Sequence, residues 1–224
     1  MTRPTSILII GAGELGTAIL SNLTSHPRYH QHRDTTTTLA VLRRASTLAS
    51  ADPATQSELA ALASRGIVVE GGDLVASPES PLEDLISGRV LRGLGGWGNR
   101  VTVTDVRGIG TVVADLVFNP GDSETGGKVV YAAGDTVSYG EVADVVEAVY
   151  GGEWKREEWD REFLKRKLAE QPDDLMVKYQ NAFGAGIGVS WEMERTVNHQ
   201  RGIRITGLRE YVEENRERLL QLSE

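Results

Sequence analysis

The stretch from Ser6 to Leu23 constrains the fold more than any other part of the chain. A short apolar run, Ser6–Ile10 (SILII), meets the pattern Gly11-Ala12-Gly13-Glu14-Leu15-Gly16, and Leu15, Ala18, Ile19 and Leu23 then recur at helical spacing. A buried parallel strand that ends in G-x-G-x-x-G and opens a helix has the form a dinucleotide needs. Gly11 permits the tight turn, Gly13 removes a Cβ where the pyrophosphate approaches, and Gly16 lets helix and strand pack closely. The free N–H groups and dipole of the helix N-terminus favour an anion at that point. The alternative is a tight strand-to-helix turn that holds no ligand.

Further along, the pattern repeats. His26-Pro27 stops the first helix, since proline disfavours α geometry in the residue before it. The polar, aperiodic run Arg28–Thr38 reads as a surface loop, and Leu39–Leu42 as a second strand. Ser57–Ser64 reads as a helix with Gly66 beyond its end, and Ile67–Val69 as a third strand. The order β-α-β-α-β is half of a doubly wound sheet with right-handed crossovers. After it, Pro81–Ser87 is a short helix at best, and Arg89–Arg100 is glycine-rich and irregular. Val101–Thr104 and Lys128–Ala132 read as strands, Ile109–Phe118 and Gly140–Tyr150 as helices. The remainder is mostly helical, over 160–170, 173–183 and 208–220. The predicted fold is α/β: a reduced Rossmann-type parallel sheet with a smaller, mostly helical C-terminal part. The predicted boundary separates a dinucleotide-binding unit, residues 1–88, from a substrate-side region, residues 89–224.

The end of the second strand selects the cofactor. Chains that bind NAD place an Asp or Glu there for the adenosine ribose hydroxyls. This one reads Leu42-Arg43-Arg44-Ala45-Ser46-Thr47, with no acid. Guanidinium groups suit a 2′-phosphate, because they donate in pairs and stay charged. The reading is therefore NADP(H), with Ser46 adding a hydroxyl, against the alternative that Arg43 and Arg44 are solvated loop charges. Asp73, after the third strand, is placed either to reach the adenine rim or to cap a short helix. The candidate cofactor-binding residues are Gly11, Gly13, Glu14, Leu15, Gly16, Arg43, Arg44, Ser46 and Asp73.

Composition narrows the partners. A net charge of −8 argues against nucleic acid. No apolar run approaches the ~20 residues of a membrane span, and Met1–Thr5 leaves no room for a signal peptide. With no Cys there is neither a disulfide framework nor thiolate chemistry, and a reducing, cytoplasmic setting is expected. His26, His30 and His32 share one polar stretch without an acidic cluster, so they read as solvated histidines and no metal is expected. Residues 155–167, mixed in charge sign, read as a salt-bridged exposed face with Trp159 and Phe163 turned inward.

Taken in order, SILIIGAGELGTAIL, VLRRAST, VVEGGDL, VTVTDVRGIG and VVYAAGDTVSYGEVADVVEAVYGG resemble the NmrA-like, isoflavone-reductase-like branch of the atypical short-chain dehydrogenases. The resemblance implies an NADPH-binding Rossmann domain, a smaller substrate part and, in active members, reduction of an aromatic or phenolic small molecule. It carries Gly11, Gly13, Gly16, Arg43 and Asp73 over as cofactor contacts. It also places Trp191 on the substrate side. Non-catalytic members are taken to be nucleotide sensors or regulators.

The departures from the family are specific. Only 27 residues, 74–100, separate Asp73 from Val101, whereas a single βαβ unit takes about 30. The family's further strand–helix units and its lysine near the nicotinamide are thus missing between Gly88 and Arg89, since the first lysine is Lys128. None of the six tyrosines has a lysine four residues on, so no Tyr-x-x-x-Lys pair exists and no catalytic residue is assigned. Tyr131 and Tyr139, near Asp135, are the remaining proton-donor candidates, although Asp135 and Ser138 read more simply as caps of the helix from Gly140. An inactive shortened variant is a further reading. Without a fourth strand the first would show an unpaired edge. The expectation is that Lys128–Ala132 docks there; the alternatives are Val101–Thr104 or another chain, a homodimer included.

Overall fold

The structure, a computed structural model, describes residues 6–31, 38–71, 89–119 and 129–217. It divides into two compact units, Met1–Ala76 with Val106–Val130, and Ser77–Asp105 with Tyr131–Glu224.

The first unit is built on three parallel strands in the order β1-β2-β3: β1 (Ser6–Ile10), β2 (Thr38–Arg43) and β3 (Val68–Gly71). Register pairs Leu8 with Ala40 and Ala40 with Val68. Side chains alternate across a pleated sheet, and here the alternation is clear. Ile7, Ile9, Leu39, Val41, Ile67 and Val69 join the core with Leu20 and Leu23 of α1 (Glu14–Ser25) and Leu62 of α4 (Pro53–Ser64). Leu8 and Val68, on the other face, are 54% and 43% exposed, where the apolar run of β1 suggested burial on both faces. Two short helices complete the connections, α2 (Pro27–Gln31) and α3 (Ala45–Leu48). The surface loop expected from Arg28 thus begins as a helical turn, because Pro27 starts α2 where its fixed φ is compatible with a first helical position.

The predicted boundary at residue 88 is drawn differently by the structure. Helix α5 (Val106–Phe118) belongs to the first unit and packs along α1. A Cβ on Gly110 would lie 2.8 Å from the Ala18 carbonyl oxygen. That absent side chain lets the two helices approach, and Thr111 Oγ1 then donates to Asn22 Oδ1 at 3.1 Å.

The second unit holds two small sheets. β4 (Val90–Leu94) runs parallel to β7 (Lys155–Trp159), and β5 (Arg100–Val103) antiparallel to β6 (Asp135–Ser138). Helices α6 (Tyr139–Tyr150), α7 (Arg161–Glu170), α8 (Leu175–Gly184), α9 (Val197–Arg201) and α10 (Leu208–Glu214) surround them. Two strands here depart from expectation. β4 lies in the glycine-rich run read as irregular, and β7 in the charged stretch read as a salt-bridged exposed face. In β7 the inward residues Glu157 and Trp159 alternate at period two, and Asp160 then starts α7 by accepting from Phe163 N–H at 2.7 Å. Trp159 and Phe163 do turn inward, with ring centroids 5.0 Å apart, against Leu94, Val101, Tyr139 and Leu164.

The expectation that Lys128–Ala132 docks on β1 is overturned. Lys128 lies outside the described residues, and residues 129–133 form no strand. Their hydrogen bonds are made elsewhere: Tyr131 C=O accepts from Val197 N–H at 2.9 Å, and the Asn198 amide brackets Ala133, accepting from its N–H and donating to its C=O. A backbone satisfied by side chains has no need of a ladder. Val101–Thr104 does not fill the edge either, since β5 pairs with β6. Among the described residues no strand lies beyond β1.

Candidate functional site

The three glycines of the β1–α1 turn are needed for three different reasons, and the structure separates them. Gly11 adopts φ +87°, which side-chain-bearing residues rarely reach, while its N–H donates to Leu42 C=O at 3.0 Å. Gly16 has its back to the turn, where an added Cβ would collide with the Gly11 carbonyl oxygen. Gly13 is bound by neither constraint. Its φ of −71° and ψ of −169° suit any residue, and a Cβ there would meet nothing within 4 Å. The protein itself does not demand glycine at 13, and close approach of a ligand supplies the demand. Gly13 is also the N-cap of α1 and offers no side-chain oxygen to its first N–H groups, whose positive dipole end faces outward. Glu14 and Leu15 open that helix, both exposed, Leu15 at 41%.

Arg43, at the end of β2, is brought to this turn. Its Nη1 donates to the Ala12 carbonyl at 2.7 Å and its Nη2 to Glu58 Oε2 at 2.9 Å, while its Nε is buried without a partner. Glu58 comes from α4, which Asp52 fixes by accepting from Thr55 N–H at 2.9 Å. Arg44 is exposed on the following residue, and Ser46 is exposed in α3. The turn, Arg43, Arg44 and Ser46 therefore lie on adjoining segments at the C-terminal ends of paired strands, where open α/β sheets bind ligands. Asp73 lies outside the described residues. Glu58 was not legible as a member of the site, because nothing in the sequence of an exposed helix signals an arginine 15 residues earlier.

Tyr139 and Tyr131, in the second unit, both pack against other side chains. Tyr139 is 5% exposed within the Leu94–Leu164 cluster, and burial pushes its hydroxyl up to about 12. Tyr131 lies 5.1 Å from the Trp191 ring, with the Arg195 guanidinium 5.1 Å over its face. Asp135 accepts from Leu208 N–H rather than capping α6, and Ser138 caps it as expected in a reciprocal capping box with Glu141. His26 stacks on Phe118 at 4.5 Å, and burial, then Arg28, lowers its pKa. Among the described residues no group of acids and histidines could hold a metal, and no helix is long and apolar enough to cross a membrane.

No protein-family model matches the chain. An NmrA-like family domain-containing oxidoreductase from Gibberella moniliformis (strain M3125 / FGSC 7600) is 48% identical over 127 residues, which cover 56% of this chain and 41% of that one. Over that stretch the chain is similar in sequence to a protein named for the NmrA-like family. The resemblance drawn from the motifs is thereby supported, over less than half the length of the curated relative. Two solved structures show the fold. AtPrR2 in apo form aligns with a TM-score of 0.65 at 11% identity, over 94% of this chain and 99% of that one. An NADPH-dependent quinone oxidoreductase (QOR2) from Escherichia coli aligns with a TM-score of 0.50 at 16% identity, over 92% and 98%. The architecture is thus α/β with a Rossmann-like parallel sheet, as the glycine pattern and strand order implied.

Proposed function

We propose that this NmrA-like chain binds NADP(H) at the β1–α1 turn, within a reductase lineage whose substrate is an aromatic or phenolic small molecule. The observation that carries the reading is Gly13, a glycine that neither backbone angle nor packing requires, beside an arginine held at the same turn. The first N–H groups of α1 would hold the pyrophosphate, and Arg43, Arg44 and Ser46 the 2′-phosphate. Asp73 would stand at the adenine. When bound, the nicotinamide would supply hydride; the chain's part is to bind, orient and discriminate. The relative named an oxidoreductase and the neighbour named NADPH-dependent support this reading. A net charge of −8 favours a small molecule over nucleic acid as partner, and a cytoplasmic setting fits the absence of Cys. Among the described residues no strand pairs beyond β1, and a second copy of the chain would find a place to pair there.

Titration of the purified chain with NADPH and NADH, following nucleotide fluorescence and melting together, tests this. NADPH is expected to bind about tenfold tighter, about 1.4 kcal/mol, and to raise the melting point. Failure of both nucleotides to bind would sink the reading.

A second reading, a nucleotide sensor without catalysis, is favoured by one feature. No tyrosine has the lysine partner that lowers its pKa, and Tyr139 moves in the opposite direction. Tight NADPH binding with no turnover across a panel of quinones and phenolic carbonyl compounds would select it.

A further inference from the structure

Arg43 does not stand free for an anion. Its Nη2 is already bonded to the Glu58 carboxylate at 2.9 Å, its Nη1 to the Ala12 carbonyl at 2.7 Å, and its Nε is sealed from water. The two partners differ in freedom. Ala12 is part of the glycine turn and 7% exposed, whereas the Glu58 side chain is 41% exposed on α4 against 13% for Arg43. We propose that Glu58 is the selectivity-setting counter-ion of this site: it neutralises Arg43 beside the glycine turn and competes with a ligand's 2′-phosphate for Nη2. The proposal rests on the reading of the turn as a dinucleotide site.

The physical argument has two parts. Holding Nη1 on Ala12 keeps the guanidinium at the turn whether or not Glu58 is bonded to it, so the carboxylate is not needed to place the cation. A phosphate arriving at Nη2 must then displace Glu58 or share the guanidinium with it, and a carboxylate left nearby repels a phosphate. An exposed carboxylate yields readily, because exposed ion pairs are worth about 0–1 kcal/mol. Glu58 thus weakens 2′-phosphate binding without blocking it. A nucleotide without that phosphate leaves the Arg43–Glu58 pair intact.

The test compares adenosine 2′,5′-bisphosphate with adenosine 5′-monophosphate on the full chain by calorimetry, in wild type, Glu58→Gln, Arg43→Leu and the double variant. Glu58→Gln is expected to tighten the bisphosphate about fivefold and to leave the monophosphate unchanged. Arg43→Leu should sharply reduce the preference for the bisphosphate, leaving what Arg44 and Ser46 supply, and adding Glu58→Gln to it should then gain nothing. A weaker bisphosphate in Glu58→Gln would overturn the proposal, since Glu58 would then be orienting Arg43. A weaker monophosphate would also overturn it, because Glu58 would be accepting from the ribose hydroxyls. An equal change in both ligands would mean a structural effect only and sink it too. If neither ligand binds any of the four proteins, the dinucleotide reading itself fails and takes the proposal with it.

Discussion

The two units reach a folded state by different means. In the first, three apolar strands lie under α1 and α5, and the fully buried side chains Leu20, Leu23, Leu39 and Val41 form one cluster. Its three strands share one parallel ladder, and side chains bond the backbone only around the turns and caps, as Arg43 does at Ala12 and Asp52 at Thr55. In the second, the strands are paired only in twos, and side chains bond backbone groups well away from the strand ladders. Asn198 brackets Ala133, Asn99 donates to the carbonyls of Leu94 and Phe183, Asp135 receives Leu208 N–H, and Thr102 shares a hydroxyl bond with Thr136 at 2.8 Å. Cations lie over two of its tryptophans at close range: Lys167 Nζ lies 4.2 Å from the Trp159 ring centroid and the Arg156 guanidinium 5.6 Å from that of Trp97. Apolar burial is tolerant of shape, whereas a bonded amide depends on one partner at one place. The first unit should therefore answer chiefly to lost volume and the second to lost polar contacts.

The largest expected effect is in the first unit. Leu20→Ala should destabilise it by about 2–5 kcal/mol, the transfer and cavity loss for a fully buried leucine, as measured by denaturant melting. Leu20→Met, which keeps the volume, should lose less than about 1.5 kcal/mol. Equal losses from the two would break the contrast. In the second unit, Asn198→Ala removes two hydrogen bonds of 3.1 and 2.9 Å and leaves the buried N–H and C=O of Ala133 without them. An expected loss of about 2–4 kcal/mol follows from one to two buried groups left unsatisfied. Asn198→Leu, of similar size and apolar, should not rescue it. Rescue by leucine would show that volume rules there as well.

The same contrast explains what the sequence disclosed. β1, β2, β3 and α1 were legible because each carries its burial in its own periodicity, and Gly11, Gly13 and Gly16 mark the turn between them. α5 was legible as a helix but not as a member of the first unit, since its apolar stripe records a face and not a partner. β4 was hidden by Gly93 and Gly95, which serve close approaches to Trp97 and to the Gly184 carbonyl. β7 was hidden because Lys155–Glu158 is charged throughout and only Glu157 and Trp159 turn inward. The strand expected at Lys128–Ala132 misled for the converse reason: it has strand-forming residues, but Val197 and Asn198 of α9 supply the partners of Tyr131 and Ala133. At the candidate site the glycines and Arg43 were visible, and Glu58 was not, because an ion pair between two segments leaves no local pattern.

The smallest expected effect concerns acid, and each unit carries one example of it. Glu141 closes the capping box of α6, accepting from Ser138 N–H at 2.7 Å and from Ser138 Oγ at 2.9 Å. The backbone hydrogen bond of Ser138, and then its hydroxyl, hold the Glu141 carboxyl below its usual value of 4.5. A depressed folded-state pKa contributes stability that is fully present above the unfolded value. It is lost as pH falls through the folded value, because protonation removes the charge these donors stabilise. Melting followed from pH 7 down past 4.5 should therefore show α6 weakening only below that value, by helical circular dichroism. Glu141→Gln keeps an acceptor but not the charge, so its acid limb should be shallower than that of the wild type. Asp52 behaves alike in the first unit, where Thr55 lowers its pKa at the start of α4, and Asp52→Asn should flatten the part of the limb that belongs to α4. If both substitutions left the acid limb unchanged, the caps would be bystanders and acid would act on the two units through other carboxylates. A change in one variant alone would show which unit opens first as pH falls.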